Sequence, residues 1–522
     1  MKLFNYTFAF LVCCLLANVS SYKILGVFPF AATSHYIVGS SLMKGLAEKG
    51  HDVTIIAAFK EKSPIKNFKT ILVPEAVALM EETKKDIINY RNKGILESLA
   101  EFYEMGINMT QVTLESANVK KLLKSNEKFD LVINEIFLNE AALGIAHVFK
   151  APIIGVSTFG SSQWTTDLVG SPTPPSYIPN PFLGFSTKMS LVERVGNLAQ
   201  AHFDRIYFDH FYIHKQEKIY NKAFPDPKPA LDQLRKNVSL VLLNTHFSLA
   251  FPRPYVPNMI EVGGMQVNRK TKELPADMKK FIESAEHGVI YFSMGSNLKS
   301  NTLPKEKRDA LLNTFKTLKQ KVLWKWEDPN LPGKPDNVFI SAWFPQDDVL
   351  AHPNVKAFIT HGGLLSTTET IYHGTPVIGI PMFGDQFLNM AQAVKGGFGL
   401  IADYNLLSVD YLKGIINEMM TNDKYTKQIQ AMSKRYRDQP LTPLETAIYW
   451  VEYVCRHNGA YHLRNSGMDL SFIQYHNIDA IAVLYGVLFI VLFVIFKVVK
   501  FVLSLAVGTK NQKKGKKKSH RE

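Results

Sequence analysis

One short stretch holds the densest chemistry in the chain: Phe358-Ile359-Thr360-His361-Gly362-Gly363 runs into Ser366-Thr367-Thr368-Glu369. The pattern is a strand ending on two glycines, then a helix whose first N–H groups have no partner within the helix. Glycines let backbone approach a ligand, and a helix N-terminus carries partial positive charge; together they suit a diphosphate. His361 adds a side-chain donor. The same residues also read as a capping box, with Ser366 and Glu369 tying the helix start and the glycines only turning the chain. Two neighbouring segments favour the first reading. Trp343-Phe344-Pro345-Gln346, one loop earlier, offers a flat aromatic face for a base and an amide for its edge, and Met382-Phe383-Gly384-Asp385-Gln386 closes the next strand. Ligands of α/β sheets sit at such strand ends.

A second centre lies near the N-terminus. His35 follows Thr33-Ser34 in the turn after an apolar run and opens a helix. A helix N-terminus disfavours imidazolium, which keeps the ring neutral and able to take a proton. A base of this kind needs a carboxylate on its far nitrogen to fix the tautomer. Glu135, at the end of the apolar run Phe129 to Asn134, is the candidate; Asp130 is the rival, although near a strand start it should point away.

Trp343 to Gln346, His352-Pro353, Phe358 to Gly363, Glu369, Tyr372-His373-Gly374-Thr375-Pro376 and Gly384-Asp385-Gln386 together resemble the signature of the UDP-glycosyltransferase family. The run Phe137 to Pro152 is similar to the insect branch. The resemblance implies the GT-B fold, an α/β architecture of two Rossmann-like domains with the active site in the interdomain cleft. It implies that Trp343 stacks on uracil and Gln346 meets its edge, that Ser293, His361, Gly363 and Ser366 hold the diphosphate, and that Glu369 takes the ribose hydroxyls. Asp385 and Gln386 would hold the sugar hydroxyls, and His35 would stand where the family has its catalytic histidine. Many members have Asp where this chain has Glu135, and Asn-Gly where it has Leu365-Ser366. Vertebrate glucuronosyl members usually carry Arg where alignment puts Asn244.

Elements able to position these residues are visible in the pattern. Tyr22 to Phe28, a helix from Tyr36 to Lys49 stopping at Gly50, and Asp52 to Ala58 make a strand-helix-strand unit and hence a parallel sheet. Phe129 to Asn134, Asn139 to Phe149 and Pro152 to Ser157 repeat it. A Pro- and Ser-rich loop from Ser161 to Pro181 and an aromatic-rich helical stretch from Leu191 to Tyr220 follow; these either wall an acceptor pocket or are plain core. After a linker from Phe251 to Pro275, strands are expected at Val289 to Ser293, Lys321 to Trp326, Val355 to Thr360 and Pro376 to Ile380. Helices are expected at Lys305 to Leu318, Ser366 to His373 and Thr442 to His462, the last able to pack back across the domain boundary.

The ends of the chain set its compartment. Met1-Lys2, the apolar run Leu11 to Ala17 and Val19-Ser20-Ser21 form a secretory signal. Ala480 to Phe496 has no charge and, with its flanks, reaches the length of a bilayer span. Nine basic side chains against Glu522 put +8 of the formal +14 into residues 497–522, so the body has no basic stripe for nucleic acid. Positive-inside logic puts the tail in the cytoplasm and the body in the lumen. Lys518 to Glu522 resembles a K-x-H-x-x retrieval signal, with contact to lipid headgroups as the alternative. Of three cysteines only Cys455 survives cleavage, so no internal disulfide forms. Sequons at Asn108 and Asn237 permit glycosylation.

These readings divide the chain into a signal peptide (1–21), an acceptor-binding domain (22–262), a UDP-sugar-binding domain (263–465), a transmembrane helix (478–500) and a basic tail (501–522). The expected activity is inverting transfer of a hexose from a UDP-sugar, UDP-glucose being preferred, to a hydroxyl of a small lipophilic acceptor, in the endoplasmic reticulum and without a metal. A non-catalytic carrier of lipophilic molecules and a lipid or glycan transferase of the same fold are the competing readings. Homo-oligomerisation is open.

Overall fold

The computed structural model describes residues 21–84, 94–267 and 270–518. Residues 1–20 of the leader and the last four residues of the retrieval motif lie outside the described residues. The chain falls into two compact units, residues 1–464 and 465–522.

Within the first unit the apolar runs become strands of two parallel sheets. Among the described residues the first sheet contains β1 (Lys23–Phe28), β2 (Asp52–Ala57), β3 (Phe68–Leu72), β4 (Leu131–Glu135), β5 (Ile153–Ser157), β6 (Val238–Leu243) and β7 (Met259–Glu261). Its spatial order is β3-β2-β1-β4-β5-β6-β7. The second contains β8 (Val289–Ser293), β9 (Lys321–Lys325), β10 (Val338–Ser341), β11 (Val355–Thr360), β12 (Val377–Gly379) and β13 (Gly399–Ile401), in the order β10-β9-β8-β11-β12-β13. Every recorded pairing is parallel. Such strands are apolar on both faces because both faces are covered. Along β1, Leu25 and Val27 enter one core and Ile24 and Phe28 the other. Along β8, Ile290 and Phe292 are divided from Val289 and Tyr291 in the same way. This is a GT-B-like fold.

The helices that bear on the site are α1 (Thr33–Glu48), α2 (Leu191–Tyr207), α3 (Leu364–His373), α4 (Gln386–Lys395) and α5 (Pro443–Arg456); α6 (Ile478–Lys518) belongs to the second unit. The expected helix from Leu191 to Tyr220 is interrupted by a π-helical turn, Phe208–Tyr212, before it resumes at Ile213–Ala223. The expected helix from Thr442 to His462 is shorter at its C-terminal end. It starts at a capping box, in which Glu445 N–H donates to Thr442 Oγ1 (2.9 Å) and Thr442 N–H to Glu445 Oε2 (2.8 Å). It stops at Arg456 because Asn458 and Gly459 take positive φ and the Gly459 N–H bonds back to the Val454 carbonyl.

As its pattern implied, α5 crosses back to the first sheet. Ile448, Val451 and Val454 lie in one core with Ile24, Val53 and Ile133. His51 Nε2 lies 3.2 Å from Glu452 Oε1. Late sequence therefore completes the core beneath α1. In the second unit the apolar stretch Ile478–Leu505, 28 residues with mean hydropathy 2.8, is long and apolar enough to cross a membrane.

α1 lies close on β1 because Gly39 has no side chain: a Cβ there would stand 2.4 Å from the Phe28 ring. Gly39→Ala should push the two apart and lower unfolding free energy by about 1–3 kcal/mol, as overpacking does, read as a shift in the denaturation midpoint at unchanged slope.

Candidate active site

His35 is the third residue of α1, held by the β1–α1 turn, and its ring is buried. Phe30 and Phe137 pack on it at 4.6 Å between ring centres, and Phe159 at 5.3 Å. Its Nδ1 lies 2.5 Å from Oε1 of Glu135, the last residue of β4, which is 0% exposed. With a carboxylate as acceptor, Nδ1 carries the proton and Nε2 is left as the basic nitrogen. Thr158, just after β5, holds both members: its Oγ1 donates to Glu135 Oε1 at 3.2 Å and stands 3.0 Å from His35 Nδ1. β1, β4 and β5 are neighbours in the sheet, so three consecutive strand ends build this cluster. Asp130 is at the opposite end of β4, where it accepts from the Lys23 N–H at 2.7 Å, as its position near the strand start implied. No motif in the sequence marks Thr158, although the strand-end rule that singles out Glu135 applies equally to it.

On the second sheet the helix after β11 starts at Leu364 with Gly363 as its N-cap. Ser366 is therefore inside the first turn, and no capping box joins it to Glu369. Gln346 joins them instead: its Nε2 donates to Glu369 Oε2 at 2.7 Å and to Ser366 Oγ at 3.0 Å, while its Oε1 accepts from Tyr291 Oη at 3.3 Å. The amide expected to meet a base edge is thus engaged at both ends by the protein wall. Trp343 stands free, 54% exposed, with Lys325 Nζ 6.0 Å from the ring centre.

His361 fits only between glycines. A Cβ at Gly295 would meet its ring at 2.4 Å and one at Gly363 at 2.6 Å. Burial, and the Lys325 charge after it, push the imidazole down to about 4, so it acts as a neutral group. Burial raises Glu369 to about 8, against the hydrogen bond from Gln346. It raises Asp385 to about 6, opposed by hydrogen bonds from Asn389 and its own backbone and by the field of His35. Asn389 Nδ2 bridges Asp385 Oδ2 and the Gly362 carbonyl, each at 3.0 Å, coupling the two loops. The Gln386 side-chain oxygen accepts from the N–H groups of Met382 and Phe383, which holds that loop in shape.

The two clusters face one cavity of about 480 Å³. His35, Ser293, Trp343, Gln346, His361, Gly363, Ser366, Glu369, Asp385 and Gln386 all line it; Glu135 sits behind His35 and does not. Phe102, Phe137, Phe159, Trp164 and Phe182 make the opposite wall apolar. Asn244 does not reach the cavity. It is buried, with Nδ2 donating to the Thr158 carbonyl at 3.0 Å, whereas Arg253 does line the wall. Among the described residues no group of three His, Cys, Asp or Glu side chains gathers as a metal site.

The raised carboxyl of Glu369 has a signed consequence. Above the usual carboxyl range, near 4.3, the unfolded chain gives up this proton while the folded chain keeps it until about pH 8, so stability is lost as pH rises across that window. Glu369→Gln keeps an acceptor for Gln346 and removes the loss. The variant should be more stable than the parent at pH 8, with the gap closing toward pH 4, measured by thermal unfolding across pH.

Residues 23–514 match the family described as UDP-glucoronosyl and UDP-glucosyl transferase. The chain is 39% identical over 478 residues to UDP-glycosyltransferase UGT5 of Dactylopius coccus, covering 90% of each. It is 35% identical over 473 residues to UDP-glucosyltransferase 2 of the same organism, covering 90% of this chain and 91% of that one. Among solved structures it is similar in fold to CalG4, the calicheamicin glycosyltransferase, with a TM-score of 0.57 at 16% identity over 84% of this chain and 100% of that one. A family match along nearly the whole length, with relatives of 39% and 35% identity, shows that the chain belongs to the UDP-glycosyltransferase family and is a UDP-sugar-dependent glycosyltransferase.

Proposed function

We propose that this enzyme transfers glucose from UDP-glucose to a hydroxyl of a small lipophilic acceptor in a single inverting displacement. The observation that carries the reading is the buried contact between His35 Nδ1 and Glu135 Oε1 at the wall of a cavity whose other side presents the helix terminus of α3. His35 Nε2 takes the acceptor proton as the acceptor oxygen bonds to the anomeric carbon. The bond from that carbon to the UDP oxygen breaks on the opposite face. Glu135 steadies the imidazolium, and Thr158 keeps the pair in register. The leaving diphosphate meets the N–H groups of α3 with Ser293, His361, Gly363 and Ser366 around it, and no metal enters this scheme.

In this reading Trp343 carries the uracil on its exposed face and Glu369 takes the ribose. Because the Gln346 side chain is engaged, the base edge meets backbone of the same loop. Asp385 and Gln386 hold the sugar. Residues 22–262 and 263–465 act as acceptor and donor domains, each Rossmann-like, and strands β1 to β7 and β8 to β13 divide accordingly. The insect-type assignment draws on the relatives from Dactylopius coccus, one of which is named a UDP-glucosyltransferase. The apolar helix and the basic residues after it favour a single-pass protein with its body in the lumen of the endoplasmic reticulum.

His35→Ala should lower turnover at least about a hundredfold and leave UDP affinity nearly unchanged, since the residues assigned to UDP lie on the other sheet. Calorimetry with UDP beside steady-state rates separates the two, and unaltered turnover would remove His35 from the mechanism.

The glucose assignment rests on Asp385, whose carboxylate repels an acidic sugar; Asn244, lying outside the cavity, lends it no support. With its carboxyl near 6, Asp385 is ionised at pH 7.5 and largely neutral below pH 5.5. UDP-glucose should therefore outcompete UDP-glucuronic acid at pH 7.5, and by less as the pH falls. Labelled donors in competition measure the ratio. Mainly glucuronide product at pH 7.5 would overturn the assignment and point to Arg253 as the cation that meets the sugar carboxylate.

A further inference from the structure

Helix α2 has its polarity turned inside out. At 100° per residue, Asn197, Gln200 and Asp204 fall on one side of the helix, and they are the buried ones, 1%, 8% and 5% exposed. The opposite side carries Leu191, Val192, Val195, Leu198 and Ile206, with Phe211 beyond the π turn, all 45–81% exposed. A helix on a water-soluble surface has the reverse arrangement.

The buried polar side is fully used. Asn197 accepts from the Asn180 N–H at 2.7 Å and donates to the carbonyls of Pro175 and Ile178. Asp204 accepts from Asn180 Nδ2 at 2.6 Å and from Gln200 Nε2 at 2.7 Å. These bonds pin the loop that supplies Pro181 and Phe182 to the cavity wall. The polar side is inward because it holds that loop; among the described residues the apolar side is left exposed.

We propose that α2 seats on a lipid surface, lying in the plane of the headgroup–acyl boundary with its apolar strip inserted. Three observations select lipid. Within α2 the exposed strip carries no carboxylate: Asp204 is buried, Glu193 closes the capping box with Ser190 on the other side of the helix, and Asp209, in the π turn beyond, lies 3.9 Å from Arg205; His202 is the polar residue on the strip. Arg194 flanks the strip along one edge and Lys188 stands before its start, placed to reach anionic headgroups as snorkelling cations do, while Arg205 on the same edge is held by Asp167 at 3.0 Å and Asp209 at 3.9 Å. The strip is also too narrow for a second copy of the chain. Seventeen residues make a helix about 25 Å long and about 10 Å across. That presents on the order of 250 Å², against the roughly 800 Å² each partner buries in a stable interface. The same chain carries a segment able to cross a bilayer, so lipid is a phase it already meets.

The test uses the full chain with Cys13, Cys14 and Cys455 replaced by Ser, in vesicles of phosphatidylcholine and phosphatidylserine. A nitroxide is placed at Val195→Cys, at Leu198→Cys, or at the control Glu306→Cys, each exposed, so that no core is disturbed. At 195 and 198 relaxation by oxygen should exceed relaxation by a water-soluble nickel chelate, giving a depth of about 5–10 Å, while position 306 shows the reverse. Nickel access at 195 and 198 equal to that at 306 would overturn the proposal. So would dipolar broadening between labels on two chains, which would make the occupant a second copy. The measurement reads no turnover, so it stands or fails apart from the donor and acceptor assignments.

Discussion

A carboxylate with no exposure is costly unless something pairs with it, and Glu135 is such a group. His35 and Thr158 are its partners, and each comes from a different strand end of the first sheet. That requirement constrains much of the first half of the molecule. β1, β4 and β5 must be adjacent, α1 must start where its third residue reaches the β4 end, and Phe30, Phe137 and Phe159 must close around the imidazole. Gly39 lets α1 settle on β1 closely enough for this, and α5 fills the core beneath it from residues some 400 positions later in the chain.

The second sheet has a different electrostatic character, because it brings carboxyl groups to the cavity wall and burial keeps their charge down. Glu369, raised to about 8, is mostly protonated at neutral pH, and Gln346 occupies its oxygen. His361, held between Gly295 and Gly363, is neutral, so it presents a hydrogen bond without the cost of desolvating a cation. The N-terminus of α3 and Lys325, itself paired with Glu327 at 2.8 Å, bring positive potential to the cavity there. Asp385, raised to about 6, changes charge on the acid side of neutrality as Glu369 does on the basic side, and it feels the His35 field across the cavity.

The two halves differ in what they offer a ligand. The wall near His35 is built from aromatic rings, which bury apolar surface without fixing many hydrogen bonds. The wall near α3 is polar and bonded into a network through Gln346 and Asn389. A cavity shared by such walls suits one well-defined polar partner and one adaptable apolar partner.

Much of this was legible in the residues alone, because local rules carry it. Apolar runs of five or six residues separated by helical patterns dictate parallel strands, and β8 and β11 have the bounds the pattern implied. Glycines and a histidine at a strand end mark a loop that lines the cavity. An uncharged run followed by lysines marks a helix long and apolar enough to cross a membrane. Other features depend on residues far apart in sequence. The capping box read for Ser366 and Glu369 is absent because the helix already starts at Leu364, and Gln346, 20 and 23 residues away, binds both side chains instead. Thr158 joins His35 and Glu135 only once three strands lie side by side. Asn244 turns away from the cavity because the Thr158 carbonyl needs a donor, while Arg253 reaches the wall from a linker with no regular pattern. The outward face of α2 is apolar because its polar face is claimed by the 175–181 loop. Periodicity identifies an amphipathic helix, but which side is buried depends on the surface it packs against, and only the tertiary structure decides that.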